Sequence, residues 1–110
     1  MTGYYVLDGE NKAIPATAKE FSEFVSDPFR KVVSRTELPG DVQISTVFLG
    51  LDHGWGRGDP VLFETMIFGG EYDQHMWRYT SRDGAVVGHL AVLDALRAGL
   101  DPNEAVSDAG

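Results

Sequence analysis

The sequence predicts an α+β domain, an antiparallel sheet of four to six strands carrying two helices. Three observations point there. Residues 42–49 and 61–68 are β-branched and aromatic runs joined by a glycine- and charge-rich tip, residues 50–60, as paired strands are joined by a hairpin loop. Thr17 and Glu20 match a capping box, and Phe21, Phe24 and Val25 follow at helical spacing. Residues 82–98 carry a second helical pattern, opened by Thr80 or Ser81 and closed by Gly99 and Pro102.

A length of 110 residues suits one domain with one core. Residues 1–99 are assigned to that domain, and residues 100–110, poor in large apolar side chains, to a frayed tail. No apolar run approaches the roughly 18 residues of a membrane span, and no basic segment backed by an apolar one suggests secretion. With no cysteine, disulfides and thiolate metal sites are excluded, and a cytoplasmic location is expected. A net charge of −8 opposes direct nucleic-acid binding. It suits plain solubility, or an acidic mimic that fills a nucleic-acid-binding groove.

In chain order, Tyr4–Leu7 reads as a short strand turned by Asp8-Gly9, with a weak return over residues 12–15 ended by Pro15. The first helix spans residues 18–26 and stops before Pro28, with Phe29 continuing its apolar face. Residues 31–38 form a strand closed by the turn Pro39-Gly40-Asp41. In the next strand Val42, Ile44 and Thr46 share one face and Gln43 and Ser45 the other; beyond Thr46 both faces turn apolar, which predicts cover on both sides. In residues 61–68, Leu62, Met66 and Phe68 oppose Val61, Phe63 and Ile67, and Glu64 interrupts with a carboxylate for which Arg35 is the expected partner. Gly69-Gly70 ends that strand, and residues 77–79 form a last one. In the second helix Val86, Leu90, Leu93 and Leu96 make an apolar stripe, while Gly84, Gly88, Ala91, Ala95 and Ala98 make a bare one. The bare stripe is either a self-association surface or a row of small residues tolerated beside solvent or against the sheet.

The tip concentrates the chemistry. Gly54, Gly56 and Gly58 allow positive φ and close backbone approach, and successive amides can cradle an anion. Arg57 adds a bidentate phosphate contact and Trp55 a stacking face. The spacing matches neither dinucleotide fingerprint nor P-loop, and glycines serving only the turns of a flexible tip give the same pattern. Asp52 and His53, with Glu64, are the residue types of a divalent-metal or acid–base site, but they lack a metal-site spacing, so no metal or cofactor is assigned. Glu71, Asp73, His75, Trp77 and Tyr79 would share one side of an extended segment, with Arg78 opposite; this describes a polar site on an aromatic floor or an exposed edge strand. His89 lies beside the leucine stripe, as a hydrogen-bonded core histidine or a group reaching a ligand.

The stretches STVFLGLDH (residues 45–53), LFETMIFGG (62–70), RYTS (78–81) and Gly88-His89 resemble a family of small, mostly uncharacterised bacteriophage and prophage proteins. The resemblance covers about two-thirds of the chain; Arg82-Asp83-Gly84 stands where an acidic helix start is common in that family. It implies a phage origin, a host-cell cytoplasmic location and a setting of action against host defence, but no activity.

The first functional expectation is therefore a non-enzymatic, homo-oligomeric binding protein for a small, nucleotide-type, phosphate-bearing ligand, sequestering an immune signal. Its ligand-binding residues are Asp52, His53, Gly54, Trp55, Gly56, Arg57, Gly58, Trp77, Arg78 and His89. The alternatives are an acidic inhibitor that occludes a host defence protein, and a small hydrolase using Asp52, His53 and Glu64.

Overall fold

The computed structural model describes residues 3–54 and 58–106. Its centre is a four-stranded antiparallel meander in the order β3 (Val32–Leu38), β4 (Val42–Phe48), β5 (Phe63–Phe68) and β6 (Met76–Tyr79). A separate hairpin, β1 (Tyr4–Leu7) and β2 (Ala13–Ala16), precedes α1 (Ala18–Val25) and a single turn of helix, α2 (Pro28–Lys31). The long helix α3 (Arg82–Arg97) follows β6. The predicted α+β architecture is the one observed.

Local chemistry sets the ends of these elements. Thr17 Oγ1 accepts from the Glu20 amide at 3.1 Å, and Glu20 Oε1 accepts from the Thr17 amide at 2.9 Å, completing the capping box of α1. Those contacts, the Thr17 amide first, hold the Glu20 carboxyl below its ordinary value. Asp27 caps α2 and Pro28 enters it at a first-turn position, where its missing N–H is no loss. The proline starts a new turn here, so Phe29 leaves the apolar face of α1 and stands 88% exposed. Ser81 Oγ accepts from the Gly84 amide at 2.9 Å to start α3, and Gly99 at φ +72° follows its end.

Register divides the sheet into two faces. Ile44 stands opposite Ile67, Thr46 opposite Thr65, and Phe48 opposite Phe63; Thr65 and Phe63 in turn stand opposite Trp77 and Tyr79. All these residues are buried and form the inner face. The helix α3 covers that face, and Phe24 of α1 meets Phe48 edge to face at 5.6 Å between ring centroids. The odd-numbered residues of β4, with Glu64, Met66 and Phe68 of β5, point the other way. They are half-buried or exposed, so the expected cover on both sides of β4 is not found among the described residues.

The helix meets the sheet through its small residues. Ala85, Gly88, His89, Val92 and Ala95 are buried together with Leu93 of the predicted stripe, while Leu90, assigned to that stripe from sequence, is about half exposed. A Cβ on Gly88 would collide with the ring and hydroxyl of Tyr79. The bare stripe is thus divided: Gly88 and Ala95 pack into the molecule's own core, Gly84 and Ala91 line a groove beside Ala105 and Val106, and Ala98 is exposed. Gly88 and Ala95 are therefore not available to a second copy, which overturns the self-association surface read from that stripe.

The C-terminal residues also depart from expectation. Pro102–Glu104 form a 3-10 turn with Pro102 buried, Val106 packs against the core, and Asn103 bonds His75 at 2.8 Å. Residues 100–106 are thus part of the domain, and not a frayed tail.

The fit of α3 yields a stability prediction. Alanine at Gly88 gains about 1 kcal/mol of helix propensity, but overpacking a buried ring costs about 1–3 kcal/mol. Gly88→Ala should therefore lower the urea midpoint. Gly9→Ala, where an added methyl meets nothing within 4 Å, should leave it within about 0.5 kcal/mol of the parent.

Candidate functional site

The loop between β4 and β5 is fixed at its base. The Leu49 amide donates to Leu62 O at 2.6 Å and the His53 amide to Val61 O at 2.9 Å, continuing the ladder beyond both strands. Between them, Asp52 Oδ1 accepts from the amides of Gly54 (2.7 Å) and Val61 (2.9 Å), clamping one limb of the loop to the other. Behind this clamp, Tyr5 N donates to Gly50 O at 2.8 Å, and Tyr4 bridges Leu51. Gly50 has φ +78°, and a Cβ there would strike the Phe21 ring, so glycine is what lets α1 close on this junction. The β1–β2 hairpin is in this way moored to the root of the loop.

The mooring leaves a cleft of about 710 Å³ between three elements. The hairpin turn supplies Glu10, Asn11 and Lys12; the descending limb of the loop supplies Asp59 and Pro60; the start of α3 supplies Ser81, Arg82 and Asp83. Leu62 and Phe63 form its apolar base and Tyr5 a side wall. The hairpin turn is preorganised: Asp8 Oδ1 accepts from the amides of Glu10 (2.8 Å) and Lys12 (2.9 Å), and Asn11 takes a left-handed conformation at φ +63°. Those amides, Lys12 first, hold the Asp8 carboxyl below its ordinary range. The Leu62 amide donates to Tyr79 O at 3.1 Å, which brings the exit of β6, and so the N-terminus of α3, beside the loop.

Of the ten residues assigned from sequence, the seven that are described do not converge. Asp52, His53 and Gly54 sit at the clamp, and Gly58, at φ +65°, precedes the cleft-lining Asp59. Trp55, Gly56 and Arg57 lie outside the described residues. Trp77 is buried on the inner face opposite Thr65, so it offers no stacking surface to a ligand. Arg78 is on the outer face, where its Nε meets Glu64 Oε2 at 3.1 Å. The expected partner of Glu64, Arg35, lies on β3 across the intervening β4; Arg78, directly opposite on β6, takes the role. The segment from Glu71 does not extend far enough to align Glu71, Asp73 and His75 with Trp77: it turns, with Gln74 at φ +68°.

His89 is a core group and does not reach a ligand site. It is 2% exposed, and both ring nitrogens are engaged, Nε2 with Thr36 Oγ1 and Nδ1 with Thr46 Oγ1, each at 2.8 Å. Thr46 Oγ1 continues to Thr65 Oγ1 at 2.6 Å. Burial holds the imidazole pKa below its ordinary 6.5. Asp52, His53 and Glu64 form no metal site: among the described residues, no group of three or more histidine and acidic side chains could hold an ion. No described helix is long and apolar enough to cross a membrane.

Sequence reasoning missed Tyr5, Lys12, Ser81 and Arg82 as neighbours. The Asp8-Gly9 turn and the Ser81 cap were both legible, but nothing in the spacing tells that the two meet. No protein-family profile, curated protein or solved structure matches the chain.

Two outcomes follow from this geometry. Asp52→Ala leaves two amides without their acceptor, at about 1–3 kcal/mol; hydrogen exchange should quicken at Gly54 and Val61 while α3 keeps its protection. For His89, the unfolded chain takes up a proton at higher pH than the folded one, so stability is full above pH 6.5 and is lost as pH falls through the lowered folded value. The melting temperature should therefore start to fall below pH 6.5, before the depressed carboxyls of Asp8 and Glu20 contribute below their ordinary values of 3.8 and 4.5. In His89→Gln the first of these losses should disappear, leaving a less stable protein whose melting temperature is flat until the carboxylate range.

Proposed function

We propose that this chain binds a small phosphate-bearing ligand of nucleotide size in the cleft at the start of α3, without transforming it. The observation that carries this reading is the convergence of Lys12, Arg82 and the N-terminus of a 16-residue helix on one cavity of about 710 Å³. That volume falls within the range of roughly 300–1,000 Å³ typical of small-molecule sites. The helix start carries about half a positive charge, which favours an anion. Two flexible cations beside it neutralise a phosphate. Glu10, Asp59 and Asp83 on the remaining walls suit the donors of a nucleotide, its sugar hydroxyls and exocyclic amines. Their three charges, against two cations, favour a ligand with one phosphate group over a highly charged polyphosphate.

Within the bacteriophage setting that the resemblance implies, such a protein removes a nucleotide signal from the host cytoplasm by holding it. The clamp at Asp52 keeps the described limb of the neighbouring loop, with Asp59 and Pro60, in place as a wall of the site.

A thermal-shift panel of mono-, di- and cyclic nucleotides tests this. A ligand at a hundred times its Kd adds about 2.7 kcal/mol, which raises the melting temperature by roughly 10 °C. Lys12→Glu and Arg82→Glu should each weaken binding at least about tenfold, by removing a charge-assisted contact. Arg82→Glu should leave the unliganded protein as stable as the parent, because an acid in the first turn suits the helix dipole. Recovery of the intact ligand after heat release supports holding without chemistry. A panel without any shift, together with stable co-purification of a host protein, would favour the acidic inhibitor instead.

A further inference from the structure

The outer face of the sheet takes no part in the cleft, and its composition is unusual for a face left to solvent. Antiparallel sheets with one covered side place polar residues on the other. Here β5 and β6 turn Met66, Phe68 and Met76 outward, with Phe68 45% and Met76 42% exposed. Among the described residues no helix packs over them.

Register orders this face into cross-strand rows. One row runs Arg35, Ser45, Met66, Met76, and the next, two residues along, runs Glu37, Gln43, Phe68. Within these two rows β3 contributes charge, β4 neutral polar groups and β5 apolar groups. The charges of the face balance, since Arg35 and Arg78 offset Glu37 and Glu64, whereas the whole chain carries −8. A second copy of so acidic a chain is repelled over most of its surface, but not here.

We infer that the outer face of the sheet is the docking site for a second copy of this chain, packed face to face about a twofold axis. An axis lying between the two rows and perpendicular to the strands lays the first row of one protomer over the second row of its partner. Arg35 then meets the partner's Glu37, Ser45 meets the partner's Gln43, and Met66 meets the partner's Phe68. Each contact occurs twice, as an isologous interface requires. Opposite charges pair at one margin, and Met66 and Phe68 pack on each other inside. The Glu64–Arg78 pair lies one row further along and remains satisfied within its own chain.

Sedimentation equilibrium of the full chain, from about 1 μM to about 1 mM, tests this. The parent protein should form dimers, and Phe68→Asp should weaken association at least about tenfold, by placing a charge among apolar partners. Arg35→Glu alone should do the same by setting two acids face to face, and adding Glu37→Arg to it should restore the dimer with the charges exchanged. Both residues are exposed, so these variants keep the fold, which thermal melting checks. A protein monomeric throughout the range overturns the inference, even if it captures a different partner from a host lysate. A dimer indifferent to Phe68→Asp and Arg35→Glu, or one that the double exchange fails to restore, overturns it equally. Lys12→Glu, at the cleft, should leave association unchanged, so the dimer and the ligand site are judged separately.

Discussion

One buried imidazole holds the layers of this domain together. His89 lies between Thr36 of β3 and Thr46 of β4, and Thr46 passes the chain to Thr65 of β5, so a single helix residue is tied by hydrogen bonds to three adjacent strands. A neutral imidazole has one donor and one acceptor, and each hydroxyl has one proton to give. The chain is therefore directional, and every link depends on the next. Buried hydroxyls left without partners would each cost about 1–3 kcal/mol. A sliding or rotated α3 would break several links at once, so its register on the sheet is fixed more firmly than apolar packing alone would fix it.

The position of α3 decides what the rest of the surface can do. Gly88, next to His89, lets the helix lie against Tyr79, and this close approach brings the helix start beside the loop after β4. The hairpin moored at Gly50 completes the cleft from the other side. Because α3, α1 and the hairpin all gather on or around the inner face, the outer face keeps its own chemistry. The proposed ligand cleft and the proposed docking face therefore lie on opposite sides of one sheet and share no residue.

Much of the architecture was legible because it is written in short-range chemistry. The Thr17–Glu20 capping box, the alternation of β4 and the glycine after α3 each act within a few residues, and each is found where expected. The inner and outer sets of β4 and β5 were also legible, since period-two alternation fixes them. The phase of α3 was legible in part: Leu93 is buried and Leu96 packs against the core, but Leu90 is about half exposed, and the sheet also accepts the helix through Ala85, Gly88 and Ala95, which carry little apolar signal. The partner of Glu64 was misplaced because a single charge carries no record of strand order: Arg35 lies on β3, one strand too far, and Arg78 on β6 stands directly opposite. The candidate site was half legible. The loop was identified from its glycines, but the cleft beside it is assembled from a hairpin turn and a helix cap about seventy residues apart, and no local pattern encodes that meeting.

The most direct measurement of this account is the nitrogen spectrum of the His89 ring near neutral pH. Held between two threonines inside the core, the imidazole should show one protonated and one bare nitrogen, a single tautomer, and a ring proton slow to exchange with water. Two nitrogens averaged to one intermediate shift, with fast proton exchange, would mean a ring open to solvent. In that case α3 would not be fastened to the sheet as described, and the cleft built on its position would lose its support.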